Sequence, residues 1–454
     1  MIYTIVLVFY CIFLFLAGTL FLAKSKDLKV FNLANEKLNW VTAAFSIAAT
    51  WIWAPALFVA GEKAFTEGLI GFGWFFVPNI LTLIFFGYIA KRALKKRNDE
   101  HTIAELISNL YNSKRLKIAH DFELLVLIFC STGVQLLAGG LALSFLLGVN
   151  FTLVTVLLAV TAFAYSYLKG LNSSVRTDFI QMVFMMLVAI AAPLYMLNFG
   201  GLQLGGINNQ PIGFFTDYNW QTFLAFGLTV SIGLIAGPMG DQTFWQRAFS
   251  MDRKSLVKSF SLGALIFSIV PLGMSLLGFM AAKAGFVPDN VSMVSLEYLV
   301  EYGPTSLVIL LMLAVVSGLT STLDSNMCAI GSIFSRISPK WGTIKIARYG
   351  MLLVAIFGIM ISNIPNINIF WLFLFYGVLR SSVFIPTLFT MVSEKLPSEK
   401  SVFWGIILAF TIGVPVYLYG AIVNISWMSL SGTLLTIVLP LVLIVGDKIK
   451  NKKA

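Results

Sequence analysis

Thirteen long apolar runs divide this chain of 454 residues, and no water-soluble fold can bury them all. They occupy residues 2–22, 40–60, 69–90, 122–147, 151–167, 179–197, 223–240, 256–282, 307–333, 349–361, 369–392, 402–423 and 427–445. Each is continuous rather than alternating, so the spanning unit is a helix and a β-barrel is excluded. Only 11% of the residues are charged, against about 25% in soluble domains. The chain therefore reads as an all-α polytopic membrane protein with 13 transmembrane helices. All of its 31 lysines and arginines except Lys63, Lys283 and Arg380 fall in alternate connections or in the tail. That asymmetry predicts an N-terminus outside and a C-terminus in the cytoplasm, and it accounts for the net charge of +11 without a nucleic-acid surface. Run 2–22 lacks a basic leader and a small-residue cleavage site, so it is expected to remain as a helix. Residues 446–454 are expected to be a basic tail with no soluble domain behind them. The expected location is the plasma or inner membrane, with the lipid bilayer as partner and no obligate protein partner.

Catalysis finds little support. The two histidines, His101 and His120, lie near loops, and Cys11, Cys130 and Cys328 each sit in an apolar run with no metal-binding spacing. No nucleophile–base pair or metal cluster emerges, so the chain is not read as an enzyme.

The polar content of the runs is more telling. Ser317-Gly-Leu-Thr-Ser-Thr-Leu-Asp-Ser325 places five hydroxyls and a carboxylate inside an apolar stretch. In lipid such groups are costly unless they face protein or a wet cavity. Closely spaced hard oxygens suit a small hard cation. A single hydroxyl can instead bond back to its own helix, but a cluster opposite a broken helix favours an ion site. Two runs carry breaks. Run 40–60 contains Ala48-Ala-Thr-Trp-Ile-Trp-Ala-Pro55, and run 223–240 contains Gly233 and Gly237-Pro-Met-Gly240. Simple kinks and packing glycines would give the same letters. With run 2–22 set aside as a leading helix, the two are the first helices of two five-helix halves, the arrangement of inverted-repeat transporters. The predicted organisation is a leading helix and inner loop over 1–39, repeats over 40–200 and 201–397, and two trailing helices with the tail over 398–454.

Five segments in order resemble the sodium:solute symporter family, whose members have a leucine-transporter-type fold with a leading extra helix. They are His101-Thr-Ile-Ala-Glu-Leu, Gln135-Leu-Leu-Ala-Gly-Gly140, Gly170-Leu-Asn-Ser-Ser-Val-Arg-Thr-Asp-Phe-Ile-Gln181, Asp241-Gln-Thr-Phe-Trp-Gln-Arg247 and the Ser317–Ser325 stretch. The resemblance implies sodium as coupling ion, held between core helices one and eight by the carbonyls of Ala48, Trp51 and Ala314 and the hydroxyl of Ser317. Family members usually carry a second hydroxyl beside that serine, where this chain has Gly318. A second sodium site, found in some members, would map to Asp178, Ser317, Thr320 and Ser321.

The same resemblance implies a central solute cavity, with Thr50, Trp53, Gln135, Met239 and Tyr376 as candidate solute-binding residues. Trp51 could serve the ion through its carbonyl and the solute through its ring. The aromatic run at Thr50–Ala54 and the segment starting at Trp371 are most similar to the urea-transporter branch. The expected function is sodium-coupled symport of a small polar solute, with a lean to urea. Proton coupling through Asp178 or Asp324, or ion-independent uniport, remains open. Arg380 is expected to pair with an acid such as Asp178 or Asp324, or else to recognise a carboxylate on the solute. Asp241 and Arg247 are expected as a gate or structural pair at the inner end of core helix six. Glu62, Lys63 and Glu67 are expected on a solvated outer face.

Overall fold

The computed structural model describes residues 2–20, 27–199, 222–338, 340, 342–367 and 369–453. Its regular structure is helical throughout the described residues. In chain order the helices are α1 (Ile2–Thr19), α2 (Leu28–Leu33), α3 (Trp40–Trp51), α4 (Ala54–Leu57), α5 (Val59–Ala93), α6 (Ile103–Tyr111), α7 (Lys114–Leu147), α8 (Phe151–Lys169) and α9 (Leu171–Phe199). Then follow α10 (Leu228–Ala236), α11 (Gln242–Phe249), α12 (Leu256–Lys283), α13 (Val294–Tyr302), α14 (Thr305–Arg336), α15 (Ile344–Ser362), α16 (Ile369–Val392), α17 (Glu399–Leu408), α18 (Val414–Ile422) and α19 (Ser426–Lys453).

Among the described residues, 11 helices are long and apolar enough to cross a membrane, with α17 and α18 counted as one because the π-helical turn Ala409–Gly413 joins them. Runs 40–60 and 223–240 are not among them, because each is interrupted. In the first, α3 stops at Trp51, Ile52 and Trp53 are non-helical, and α4 begins with Pro55 at its second position. Proline is tolerated there because its missing N–H would have had no helical partner. The chain then runs into α5 and turns at Gly68, whose φ of 63° favours glycine. In the second, α10 ends at Ala236, and Gly237–Met239 tighten into a single 3₁₀ turn before α11.

Two buried helices hold these breaks from either side. The α12 helix packs along α5 and α3, and α14 packs against α9, α7, α15 and α3. Residues 314–333 of α14 are buried without exception, so its hydroxyls face protein and not lipid. Gly233 of α10 meets Gly377 of α16 backbone to backbone: a Cβ on Gly233 would stand 2.7 Å from the Gly377 Cα. That contact brings α16, the carrier of Arg380, against the second break. The vestibule expectation does not hold for Lys63. It is buried, pairs with Glu67 at 2.6 Å, and lies over the rings of Phe226 and Phe370. Glu62 accepts a hydrogen bond from Ser292. Short helices folded over the start of α5 cover a face that reads as polar in the sequence.

Candidate functional site

The first break is set by which donors are missing. A continuous helix would send the Ala54 N–H to Thr50 and the next N–H to Trp51. The Ala54 N–H instead donates to Gln135 Oε1 at 2.8 Å, and Pro55 has none to give. Two carbonyls are thereby released from helical bonding. Thr322 Oγ1 of α14 lies 3.4 and 3.2 Å from the carbonyls of Thr50 and Ile52. Ala48 keeps a helical bond, accepting from the Ile52 N–H at 2.9 Å.

At the second break the glycines admit bulky neighbours. A Cβ on Gly237 would stand 2.6 Å from the Trp51 ring, and one on Gly240 would stand 3.1 Å from the Arg380 carbonyl. Between the two breaks lies a small closed cavity lined by Thr50, Trp51, Trp53, Ser131, Asp241, Thr243, Phe244, Thr322, Asn326, Tyr376 and Arg380. It has room for about one water molecule. Arg380 Nη2 donates to Asp241 Oδ2 at 2.9 Å, and the Tyr376 hydroxyl donates to the same oxygen at 2.8 Å. The guanidinium is also stacked, 5.2, 5.1 and 3.8 Å from the ring centres of Trp51, Trp53 and Tyr376. Aromatic faces attract a desolvated cation. The result is a charged seal with an aromatic wall. The indole N–H groups of Trp51 and Trp53 have no partner in it among the described residues.

A second buried cluster lies nearby. Arg247 Nη2 donates to Asp178 Oδ2 at 3.0 Å and to Ser325 Oγ at 2.7 Å, and its Nε donates to Ser46 Oγ at 2.9 Å. Asp178 also accepts from Ser46 and Ser321, each at 2.5 Å. Asp324 accepts from Ser174 at 2.5 Å and from Tyr165 at 2.7 Å, and it forms no ion pair among the described residues. Two fully buried carboxylates thus stand around one guanidinium.

Some expected pairings are corrected. Arg380 pairs with Asp241, not with Asp178 or Asp324, and Arg247 pairs with Asp178, not with Asp241. The eight-residue α11 separates the expected partners and turns them toward different helices. Of the expected solute residues, Thr50, Trp53 and Tyr376 line the cavity. Gln135 and Met239 stand outside its lining: Gln135 holds the Ala54 N–H, and the Met239 carbonyl accepts from Trp245 Nε1. Of the expected ion ligands, Ser317 donates to the Leu313 carbonyl at 2.7 Å and shares a hydrogen bond of 2.5 Å with the Tyr10 hydroxyl of α1. Thr320 accepts from Gln181 at 2.9 Å, and Ser321 is bonded to Asp178. Gly318 faces apolar groups: a Cβ there would meet Leu57, Ile52 and Met185 at 3.0, 3.2 and 3.2 Å. Ala48, Trp51 and Ala314 are all buried. Tyr10, Ser46, Tyr165 and Ser174 escape the sequence reading, since a lone hydroxyl in a helix carries no periodic signal.

The Asp241–Arg247 segment is tied down by its own glutamines. Gln242 accepts from the Ile103 N–H and donates to the His101 carbonyl, while Gln246 donates to the carbonyls of Asn32 and Cys328. His101 is buried beside Asn32, and desolvation together with the Arg336 charge holds its imidazole down to about 4. It is therefore neutral near pH 7.

Comparison with known proteins bears on the family and the fold. Residues 31–409 match the family model described as the sodium:solute symporter family. Over 453 aligned residues the chain is 22% identical to the urea-proton symporter DUR3 of Oryza sativa subsp. japonica, covering 89% of this chain and 62% of that one. It is 25% identical to the sodium/pantothenate symporter of Haemophilus influenzae, covering 68% and 66%. A urea active transporter of Saccharomyces cerevisiae is 21% identical over 81% of this chain and 55% of its own length. The chain thus spans less than two thirds of these relatives. Among solved structures, a sodium-coupled sialic acid symporter in a substrate-bound outward-open state superposes with a TM-score of 0.73 at 16% identity, covering 98% of both chains. That likeness is one of fold.

Proposed function

The chain belongs to the sodium:solute symporter family, and from that premise we propose that it is a secondary active transporter moving a small polar solute, with urea the first candidate, together with a cation. The cavity closed by Asp241, Arg380 and Tyr376 between two helix breaks carries this reading. Its walls are aromatic, and beside the Asp241–Arg380 pair its polar groups are hydroxyls and one amide, which suits a compact neutral solute rich in hydrogen-bonding groups. The two interrupted segments complete a set of thirteen crossings in this reading, with the repeats over 40–200 and 201–397 moving against each other and the N-terminus outside.

Sodium is the proposed coupling ion. The released carbonyl of Trp51, with Ala48, Ala314 and Ser317, forms the proposed first site, and Asp178, Thr320 and Ser321 form the proposed second. Sodium must displace Tyr10 from Ser317 at one site and Arg247 from Asp178 at the other, so ion entry would change the helix contacts that close the bundle. A single charge moving down about 100 mV supplies about 2.3 kcal/mol, equivalent to roughly fiftyfold accumulation. Solute must then raise ion affinity by the same factor by which the ion raises solute affinity.

A proton is the second reading. Asp324 favours it, being a carboxyl buried among hydroxyls with no ion pair among the described residues, as does the likeness to a urea-proton symporter. Uptake of labelled urea into proteoliposomes, driven separately by an inward sodium gradient and by an inward proton gradient, decides between them. Sodium-driven uptake at equal pH supports the first reading, and proton-driven uptake without sodium supports the second. Equal uptake without either gradient sinks both in favour of uniport.

A further inference from the structure

Glu123 of α7 is the one acidic side chain among the described residues with both carboxyl oxygens buried and neither accepting a hydrogen bond. It lies eight residues before Ser131, which lines the cavity, so about 12 Å along the helix toward the Lys114 end. Helix α16, which carries Arg380 of the cavity seal, packs against α7. Acids on neighbouring elements are otherwise engaged. From α6, Glu105 is held by Arg336; from α17, Glu399 is held by Arg115; from α14, Asp324 is held by Tyr165; on α7 itself, Asp121 is held by Lys117. His120 bonds through Nδ1 to its own helix, and Tyr111 of α6 bonds to Thr390. Arg380 Nε has no partner among the described residues.

An ionised carboxylate with no donor in a dry interior is strongly disfavoured, so the closed form holds this carboxyl neutral. Arg380 then has a single acid partner, Asp241. We propose that Glu123 is a proton-binding site of the transport cycle, neutral while the cavity is closed and ionised once its inner end is wetted. On opening, the proton leaves for water. The new carboxylate then competes with Asp241 for Arg380, which weakens the seal and favours release toward the Lys114 end. Reprotonation restores the single pair and recloses the cavity. The proposal takes this cavity as the solute site and so rests on the transport reading, but its first test needs no solute.

That test is pH-difference infrared spectroscopy of the full chain in lipid nanodiscs, comparing wild type with Glu123→Gln and Glu123→Asp. The carbonyl-stretch band of a neutral buried carboxyl is expected in wild type near neutral pH, lost in Glu123→Gln and displaced in Glu123→Asp. A spectrum unchanged by both substitutions overturns the site. Labelled-urea counterflow, which needs no ion gradient, provides the second arm. Wild-type rates are expected to change up to about tenfold per unit of internal pH across the titration, and those of Glu123→Gln by less than about twofold. Equal pH profiles overturn the gating role even if the infrared band is lost. Absence of any urea counterflow in wild type refutes the urea reading alone, and the infrared result still decides the proton site.

Discussion

Replacing Arg247 with methionine tests both the stability and the ion chemistry of the second buried cluster. The side chain is fully buried and donates to Ser46, Asp178, Ser325 and the Thr243 carbonyl. Methionine fills much of the same volume but leaves Asp178 ionised, with only the hydroxyls of Ser46 and Ser321 for company. Breaking a buried pair on one side costs about 3–5 kcal/mol. Neutralising the partner as well, in Asp178→Asn with Arg247→Met, removes the stranded charge and is expected to recover more than half of that loss. The single variant carries a further signature. Without the guanidinium, Asp178, Thr320 and Ser321 form an oxygen set open to a hard cation. Sodium at about one hundred times its dissociation constant would then add about 2.7 kcal/mol to Arg247→Met, and much less to wild type, where arginine already fills the position. The assay is unfolding of detergent-solubilised protein in sodium chloride against a bulky organic cation at equal ionic strength. Equal sodium stabilisation of wild type and variant refutes the competition. Stability of Arg247→Met within about 1 kcal/mol of wild type in sodium-free buffer refutes the pair as a structural element.

Three further outcomes are expected. Gly318→Ser restores a hydroxyl beside Ser317, and its Cβ meets Leu57 Cδ1, Ile52 Cγ2 and Met185 Sδ at 3.0–3.2 Å, so these side chains must give by a few tenths of an ångström. One added ligand worth about 1.4 kcal/mol lowers the sodium concentration for half-maximal uptake about tenfold, and an unchanged value counts against sodium at this position. Tyr10→Phe frees the Ser317 hydroxyl and is expected to strengthen sodium dependence, whereas Ser317→Ala weakens it and Cys328→Ala leaves it unchanged; equal responses in titrations of sodium-driven uptake would dismiss the assigned ligand. The imidazole of His101 is held down from 6.5 to about 4, so the unfolded chain binds the extra proton first on acidification. Stability is thus retained above pH 6.5 and falls as pH drops toward 4. His101→Gln is expected to flatten that part of the unfolding profile, and an unaltered profile removes His101 as its source.

How much was legible follows from what each feature needs. Continuous apolar runs and a buried proline are local, so the spans and both breaks can be read from the letters around Pro55 and Gly237-Pro-Met-Gly240. Pairing is not local. The partners of Arg247 and Arg380 lie 69 and 139 positions away, and the choice among four buried charges depends on helix rotation, which hydropathy does not carry. Glu123 was hidden by a boundary. With a span starting at 122, its carboxylate would sit at the water interface. The helix begins at Lys114, which carries the same residue more than two turns further in. Tyr10 gives no signal in the pattern of α1, since tyrosine is ordinary in an apolar helix.

The two guanidinium pairs are not independent, and this suggests how ion and solute sites communicate. Asp241 caps α11, accepting from the Thr243 N–H at 2.9 Å, and Arg247 lies in the last turn of the same helix. One short rod therefore offers an acid to Arg380 of α16 and a base to Asp178 of α9. A cation that takes Asp178 from Arg247 frees one end of α11 and, through it, loosens the Asp241 seal. The energetic content can be checked with a double-mutant cycle on Asp178→Asn and Arg380→Met, scored by unfolding free energy and by labelled-urea binding. Distant, independent sites add within about 0.3–0.5 kcal/mol. A coupling above about 1 kcal/mol between two residues that share no contact is expected if α11 transmits between them. Strict additivity in both measurements would mean that the ion cluster and the cavity seal work separately, and that coupling must run through the first break and α14 instead.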